Sequence, residues 1–219
     1  MRRVLSFLGL FFLLSVCVID AVEWDAEYWQ YVRLNQWEKG SCKLYALGDV
    51  RINKDFSKLY YYRISENFAY QALPDLDLEA HYSFLYSKPR GAPRFHQSNR
   101  LELEINPLFR FKNGITLRWR NRLQLIKAQG IPYIQFVFRH RFMTVFPIRE
   151  WGALTSIHVY DELHYHFDTN KITQNRFVPL ELSFALNRQA SMSIFLMIRN
   201  FINSNQWYRS IVTGSELKF

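Results

Sequence analysis

Leu101-Glu102-Leu103-Glu104-Ile105-Asn106 and, beyond Lys112-Asn113-Gly114, Ile115-Thr116-Leu117-Arg118-Trp119-Arg120-Asn121-Arg122-Leu123-Gln124-Leu125 decide how this 219-residue chain reads. Apolar and polar residues alternate on both sides of the break, the period of strands with one apolar and one polar face. A three-residue Lys112–Gly114 loop with glycine in the left-handed conformation pairs Phe111 with Ile115. That register keeps Leu103 and Leu123 on one face. On the other it sets Glu104 opposite Arg122, Asn106 opposite Arg120 and Glu102 opposite Gln124, with Arg118 and Arg110 extending the row. Such cross-strand pairs contribute about 0.2–1 kcal/mol each, so they tune register rather than make the fold.

The same period runs outward in both directions. Leu76, Leu78, Ala80, Tyr82 and Phe84 alternate with Asp77, Glu79, His81 and Ser83. Phe136, Phe138 and Phe142 alternate with Gln135, Arg139 and Arg141, and Ile157, Val159, Leu163, Tyr165 and Phe167 with Ser156, His158, Glu162, His164 and His166. Val178, Leu180, Leu182 and Phe184 follow, then Met192, Ile194, Leu196 and Ile198. Turn chemistry separates the runs, as at Glu38–Ser41, Asn53–Asp55, Leu73–Asp75, Asp168–Lys171, Asn187–Gln189 and Asn203–Asn205. The expectation is an all-β chain, a single antiparallel meander of about ten to twelve long strands, with essentially no helix and no second domain.

Composition excludes other classes. Phe (19), Tyr (13) and Trp (6) supply enough buriable surface to exclude disorder, and the aromatic share of 17% is foreign to heptad coiled coils. The formal net charge of +9 is spread along the chain rather than gathered into a nucleic-acid motif, so no nucleic-acid partner is expected. Arg2 and Arg3 precede the apolar run Val4–Ile19, which ends at Asp20-Ala21. This matches a secretory signal peptide over 1–21, cleaved after Ala21. Residues 22–219 then carry Cys42 as their only cysteine, which rules out an intramolecular disulfide scaffold.

Alternation alone does not say which face looks inward. In a soluble sandwich the apolar faces pack against each other; in a transmembrane barrel they face lipid and the polar faces line the lumen. Export, long strands rich in aromatics and the opposed charges of the Lys112 hairpin favour the membrane barrel. So does the C-terminal strand, in which Ile211, Thr213, Ser215 and Leu217 alternate up to a terminal Phe219. This looks like the signal by which outer-membrane barrels reach their assembly machinery. An even strand number is usual for such barrels, with both termini on the periplasmic side. The eleven runs, beginning at Tyr28–Trp37, therefore read as twelve strands with one missed, or ten with the first outside the barrel. Short turns such as Lys112–Gly114 and Asn187–Gln189 fall on the periplasmic side, and the longer 87–97 segment on the outer side.

Arg118-Trp119-Arg120-Asn121-Arg122-Leu123-Gln124, Tyr160-Asp161-Glu162-Leu163 and Gln174-Asn175-Arg176-Phe177 together resemble a domain-of-unknown-function family of Gram-negative outer-membrane β-barrel proteins. Gln124 stands where that family often has Glu. The resemblance implies a fold and a location, and no activity.

The expected luminal charged row is Glu102, Glu104, Arg118, Arg120, Arg122, Arg139, Arg141 and Glu162, with Arg63 and Arg199 adding to a positive interior. Such a lumen is either packed and structural or a narrow pore in which arginines favour anions. Tyr60, Tyr61, Tyr62, Tyr70, Tyr82, Tyr86, Trp119 and Trp151 are candidates for interfacial girdles. His158, His164 and His166 share a face with Glu162 but read as hydrogen-bonding luminal residues, not a metal site. Ser156 with His158, and Ser83 near His81, are the pairs a lipid-modifying enzyme would use, although neither sits in a nucleophile motif. The expected protein is a non-enzymatic outer-membrane barrel with no cofactor. Its partners are outer-membrane lipid and, through Phe219, the barrel-assembly machinery. An outer-membrane lipid-modifying enzyme and a secreted soluble barrel that binds a small ligand are the alternatives.

Overall fold

The computed structural model describes residues 24–88, 92–203 and 206–219. The expected signal peptide, the centre of the 87–97 segment and the turn at 204–205 lie outside the described residues. Eleven strands follow one another: β1 (Trp24–Lys39), β2 (Cys42–Asn53), β3 (Lys58–Leu73), β4 (Leu76–Ser87), β5 (His96–Arg110), β6 (Thr116–Ala128), β7 (Gln135–Trp151), β8 (Leu154–His166), β9 (Lys171–Ala185), β10 (Ser191–Asn203) and β11 (Gln206–Lys218). Each pairs with its sequence neighbours in antiparallel fashion, and β1 closes on β11 to complete a barrel. All eleven runs are wall strands, including the first.

The count is thus neither ten nor twelve. An odd number of alternating strands forces the last to run parallel to the first, and the ladder from Trp24↔Arg209 to Arg33↔Lys218 is parallel. The start of β1 and the end of β11 therefore lie at opposite ends of the described barrel. Phe219 extends the seam: its N–H donates to the Arg33 carbonyl at 3.0 Å and its carbonyl accepts from Asn35 at 2.8 Å. Gly214 lies opposite Trp29 in this ladder. A methyl group there would run into the Trp29 carbonyl oxygen and the Phe195 ring, so the close approach of the seam strands requires glycine.

The Lys112 hairpin has the register that its sequence dictates, with Glu104 opposite Arg122, Glu102 opposite Gln124 and Leu103 opposite Leu123. Phe111 donates to the Ile115 carbonyl at 2.9 Å, and Gly114 takes φ +87°. Elsewhere bulges shift the parity. In β9, Val178 and Pro179 together oppose Met197, because Leu196 pairs with Leu180 and Ile198 with Phe177. Pro179 has no N–H for the ladder. The bulge turns Val178 inward, against the expectation that it shares a face with Leu180 and Leu182. A bulge near Arg51 and Ile52 likewise leaves Tyr60 and Tyr61 both facing the interior; neither belongs to an outer aromatic girdle. Tyr62, Tyr70, Tyr82, Trp119 and Trp151 do face outward, with Tyr62 stacked on Tyr86 at 4.9 Å.

The polarity of the wall is inverted relative to a water-soluble core. Outward positions along mid-strand carry Ile64 (66% exposed), Ile105 (55%) and Phe84 (50%). Among the described residues the inside holds one modest apolar cluster, Trp29, Val178, Met197 and Val212, with Tyr31, Tyr160 and Phe195 packed on it. Most other buried side chains are polar or charged.

Candidate functional site

The period of two aims alternate side chains, many of them charged, at the barrel interior, and adjacent strands stack these into rows. Glu162 on β8 is fully buried, and Arg120, Arg139, Arg141 and Arg176 converge on it from β6, β7 and β9. Arg141 Nε donates to Glu162 Oε2 at 2.8 Å and Arg139 Nε to Oε1 at 3.1 Å, while His164 Nε2 lies 2.8 Å from Oε1. Glu102 binds Arg122 at 3.0 Å and also meets Arg63 at 3.6 Å and Arg100 at 3.5 Å. Arg63 reaches Asp49 at 3.5 Å, and Asp49 holds Arg51 at 2.7 Å. Arg51 stacks 3.8 Å over the Trp29 ring, and Trp29 Nε1 donates to Glu27, which also binds Arg199 at 2.8 Å. Arg176 faces the other side of this group, 5.0 Å from the Trp29 centroid. The contacts run around the inner wall from β5 through β3, β2, β1, β10 and β9 to β8, as an ionic girdle. Burying so many charges is costly unless each is paired and hydrogen-bonded, and this network pairs them.

Inside the girdle is a cavity of about 640 Å³. Among the described residues, eleven arginines with Lys88 and Lys218 line it, against six carboxylates. Glu27, Asp49 and Glu162 are buried behind the guanidinium groups instead. The cavity lining is therefore richer in positive charge than the wall as a whole. The lining extends from Lys88 and His166, near the end that carries the longer loops, to Arg118 and Lys218, near the end with short turns.

The structure places Glu102, Glu104, Arg120, Arg122, Arg139, Arg141 and Glu162 on this inner wall, with Arg118 more exposed at its mouth. Arg63 and Arg199 also face inward. Arg110 leaves the row: it pairs with Asp75 at 2.6 Å on the exposed rim.

Near the short-turn end, Ser156 Oγ lies 2.8 Å from His158 Nε2, and His158 Nδ1 lies 3.0 Å from Glu181 Oε1. This is the arrangement of nucleophile, base and orienting carboxylate. The i, i+2 spacing puts Ser156 and His158 on one face of β8, and the bulged register sets His158 opposite Glu181 of β9. His158 and Glu181 line the cavity, and Ser156 shares their face of the sheet. Ser83 and His81 make no such pair; His81 Nδ1 binds Asn67 Oδ1. His158, His164 and His166 do not converge: His164 serves Glu162 and His158 serves Glu181.

Sequence reasoning missed Glu27, Asp49, Glu181, Arg51, Arg176 and Trp29. Glu181 and Arg176 meet their partners beyond bulges in the β8–β9 hairpin, and Arg199 reaches Glu27 across the closing seam, so simple hairpin pairing does not reveal them. The available signals were the i, i+2 pairs Asp49 with Arg51 on β2 and Glu27 with Trp29 on β1.

The class that this fold and interior define is a closed, eleven-stranded β-barrel with a charged lumen. The chain belongs to the family of proteins of unknown function DUF2490, whose model matches residues 26–209. Comparison with curated proteins and with solved structures returned no match.

Proposed function

We propose that this protein is an integral β-barrel of a Gram-negative outer membrane, whose arginine-lined lumen is a narrow passage favouring small anionic solutes. The observation that carries the reading is the inverted wall, with Ile64, Phe84, Leu103 and Ile105 outward and the ionic girdle inward. A monomer in water would pay for so large an exposed apolar surface, whereas hydrocarbon accepts it. Strands of 12 to 17 residues exceed the 9–11 or so needed to cross at a tilt. Phe219, directly after the closing strand and hydrogen-bonded along its seam, fits delivery to a barrel-assembly machinery, with the short turns facing the periplasm. Within the lumen, the excess of lining arginines over lining carboxylates favours anions. Planar-bilayer recordings test the passage: the purified protein should conduct with anion preference, and Arg118→Ser or the Arg120→Gln/Arg122→Gln pair should reduce that preference. A barrel with no conductance, or with cation preference, would remove the passage from this proposal.

Ser156, His158 and Glu181 favour a second reading, a hydrolase. His158 Nε2 would take the Ser156 proton as Oγ attacks an ester carbonyl, with Glu181 holding Nδ1–H. Because His158 and Glu181 line the cavity, the substrate would be an ester small enough to enter, and not a lipid in the surrounding bilayer. On this reading the wild-type protein cleaves short-chain nitrophenyl esters and Ser156→Ala falls to background with the fold intact. Equal rates for the two proteins would exclude it.

A further inference from the structure

We propose that Glu79, His81 and Glu104 form a binding site for a divalent first-row metal ion, of the zinc type, on the inner wall between β4 and β5. Sequence reasoning expects no metal here, and this group lies apart from the β8 histidines it considered. The register sets Glu79 directly opposite Glu104, with His81 two residues further along the same face. One ligand atom from each lies within 4.8 Å of the other two, and among the described residues no other group of three does this.

The hydrogen bonds of His81 make the arrangement specific. Asn67 Nδ2 donates to the carbonyls of Tyr45 at 2.9 Å and Ser65 at 3.1 Å. Its Oδ1 is thereby left to accept, and it accepts from His81 Nδ1. With the ring neutral, its N–H lies on Nδ1 and Nε2 carries the lone pair. Metal-binding histidines are oriented in this way, by a partner on the nitrogen away from the ion. His81 is 5% exposed, and its Nε2 makes no hydrogen bond. It faces Glu104 Oε1 at 3.2 Å and Glu79 Oε2 at 3.4 Å. The lone pair of a neutral ring held against two carboxylates is repulsive unless a cation sits among them.

The spacing fits one. Ligands bound at about 2.0–2.2 Å in a tetrahedron lie roughly 3.3–3.6 Å apart, close to both observed separations. Glu104 Oε1 is ion-paired with Arg122 yet accepts no hydrogen bond, and the Asn106 side-chain oxygen beside it also lacks one. Asn106 Nδ2 orients both carboxylates, donating to Glu79 Oε1 at 3.1 Å and Glu104 Oε2 at 3.2 Å, and Tyr45 donates to Glu79 Oε2 at 2.7 Å. When an ion enters, Arg122 keeps its other contact, with Glu102 at 3.0 Å. Glu79, His81 and Glu104 all line the cavity, so the ion has a route in.

The test is zinc titration of the purified, folded, chelator-stripped protein by calorimetry, with X-ray absorption on the loaded sample. One equivalent should bind, with nitrogen and oxygen neighbours at about 2.0–2.2 Å. His81→Ala should weaken binding by about 100-fold or more, and Asn67→Ala, which leaves all three ligands in place, by about 10–100-fold. Glu79→Gln, the least buried ligand, provides a second variant should His81→Ala not fold. His158→Ala should bind as the wild type does. Absence of zinc binding, or binding unchanged in the His81, Asn67 and Glu79 variants, would overturn the proposal. None of these outcomes depends on conductance, so the metal site and the passage fail separately.

Discussion

Glu162 is the residue on which the interior is most concentrated. Four guanidinium groups and His164 surround a single carboxylate that has no exposed surface. Glu162→Gln keeps the shape but leaves that positive cluster uncompensated, and breaking a buried pair in this way costs about 3–5 kcal/mol. The expected result is a lowered urea midpoint for the barrel, whereas exposed Glu38→Gln, paired only with Lys43 at the surface, should change it by less than about 1 kcal/mol. Much of this cluster was legible in advance: Arg120, Arg139, Arg141, His164 and Glu162 all follow from strand parity. Arg176 and Glu27 were not, because their partners are reached over bulges and across the closing seam. The Ser156–His158 half of the triad was readable as an i, i+2 pair, but Glu181 depended on the bulged register between β8 and β9. Likewise Glu79 and His81 were seen on one polar face, while their meeting with Glu104 depends on the β4–β5 register, which the long 88–95 connection leaves undetermined.

At the scale of the element, the closing seam is the most demanding part of the fold. Hairpins form from contiguous chain, and the Lys112–Gly114 turn fixes its own register. The β1–β11 ladder has no turn to set it, joins the two extremes of the described chain and runs parallel. Gly214 lets the strands approach there. Gly214→Ala forces its new methyl against backbone at Trp29, and overpacking of this kind costs about 1–3 kcal/mol. The folded fraction on unboiled gels should fall, whereas Gly40→Ala, in open turn space, disturbs no neighbour and tests only its positive φ. The seam explains why strand number was harder to read than strand existence. Eleven alternating runs are visible in the sequence, but a prior for even counts argued the first one out of the wall or added a twelfth. The bulges at Pro179 and near Ile52 show the same limit, since one extra residue reverses every inference from parity beyond it.

For the molecule as a whole, the direction of the wall decides everything else. Alternation is identical whether apolar faces meet each other or look outward, and closure into a single barrel with Glu27, Asp49, Glu102 and Glu162 inside leaves the apolar faces outward. The anion passage, the lumen-facing triad and the metal site all presuppose that enclosed, charged interior, but residence in a membrane concerns the outer face alone. Fractionation of cells that express the full chain, followed by electrophoresis with and without boiling, addresses that face most directly. The account predicts that the protein sediments with the outer membrane, resists release by carbonate or urea, dissolves in detergent and migrates differently before and after heating. Recovery as a folded monomer in detergent-free buffer would contradict it.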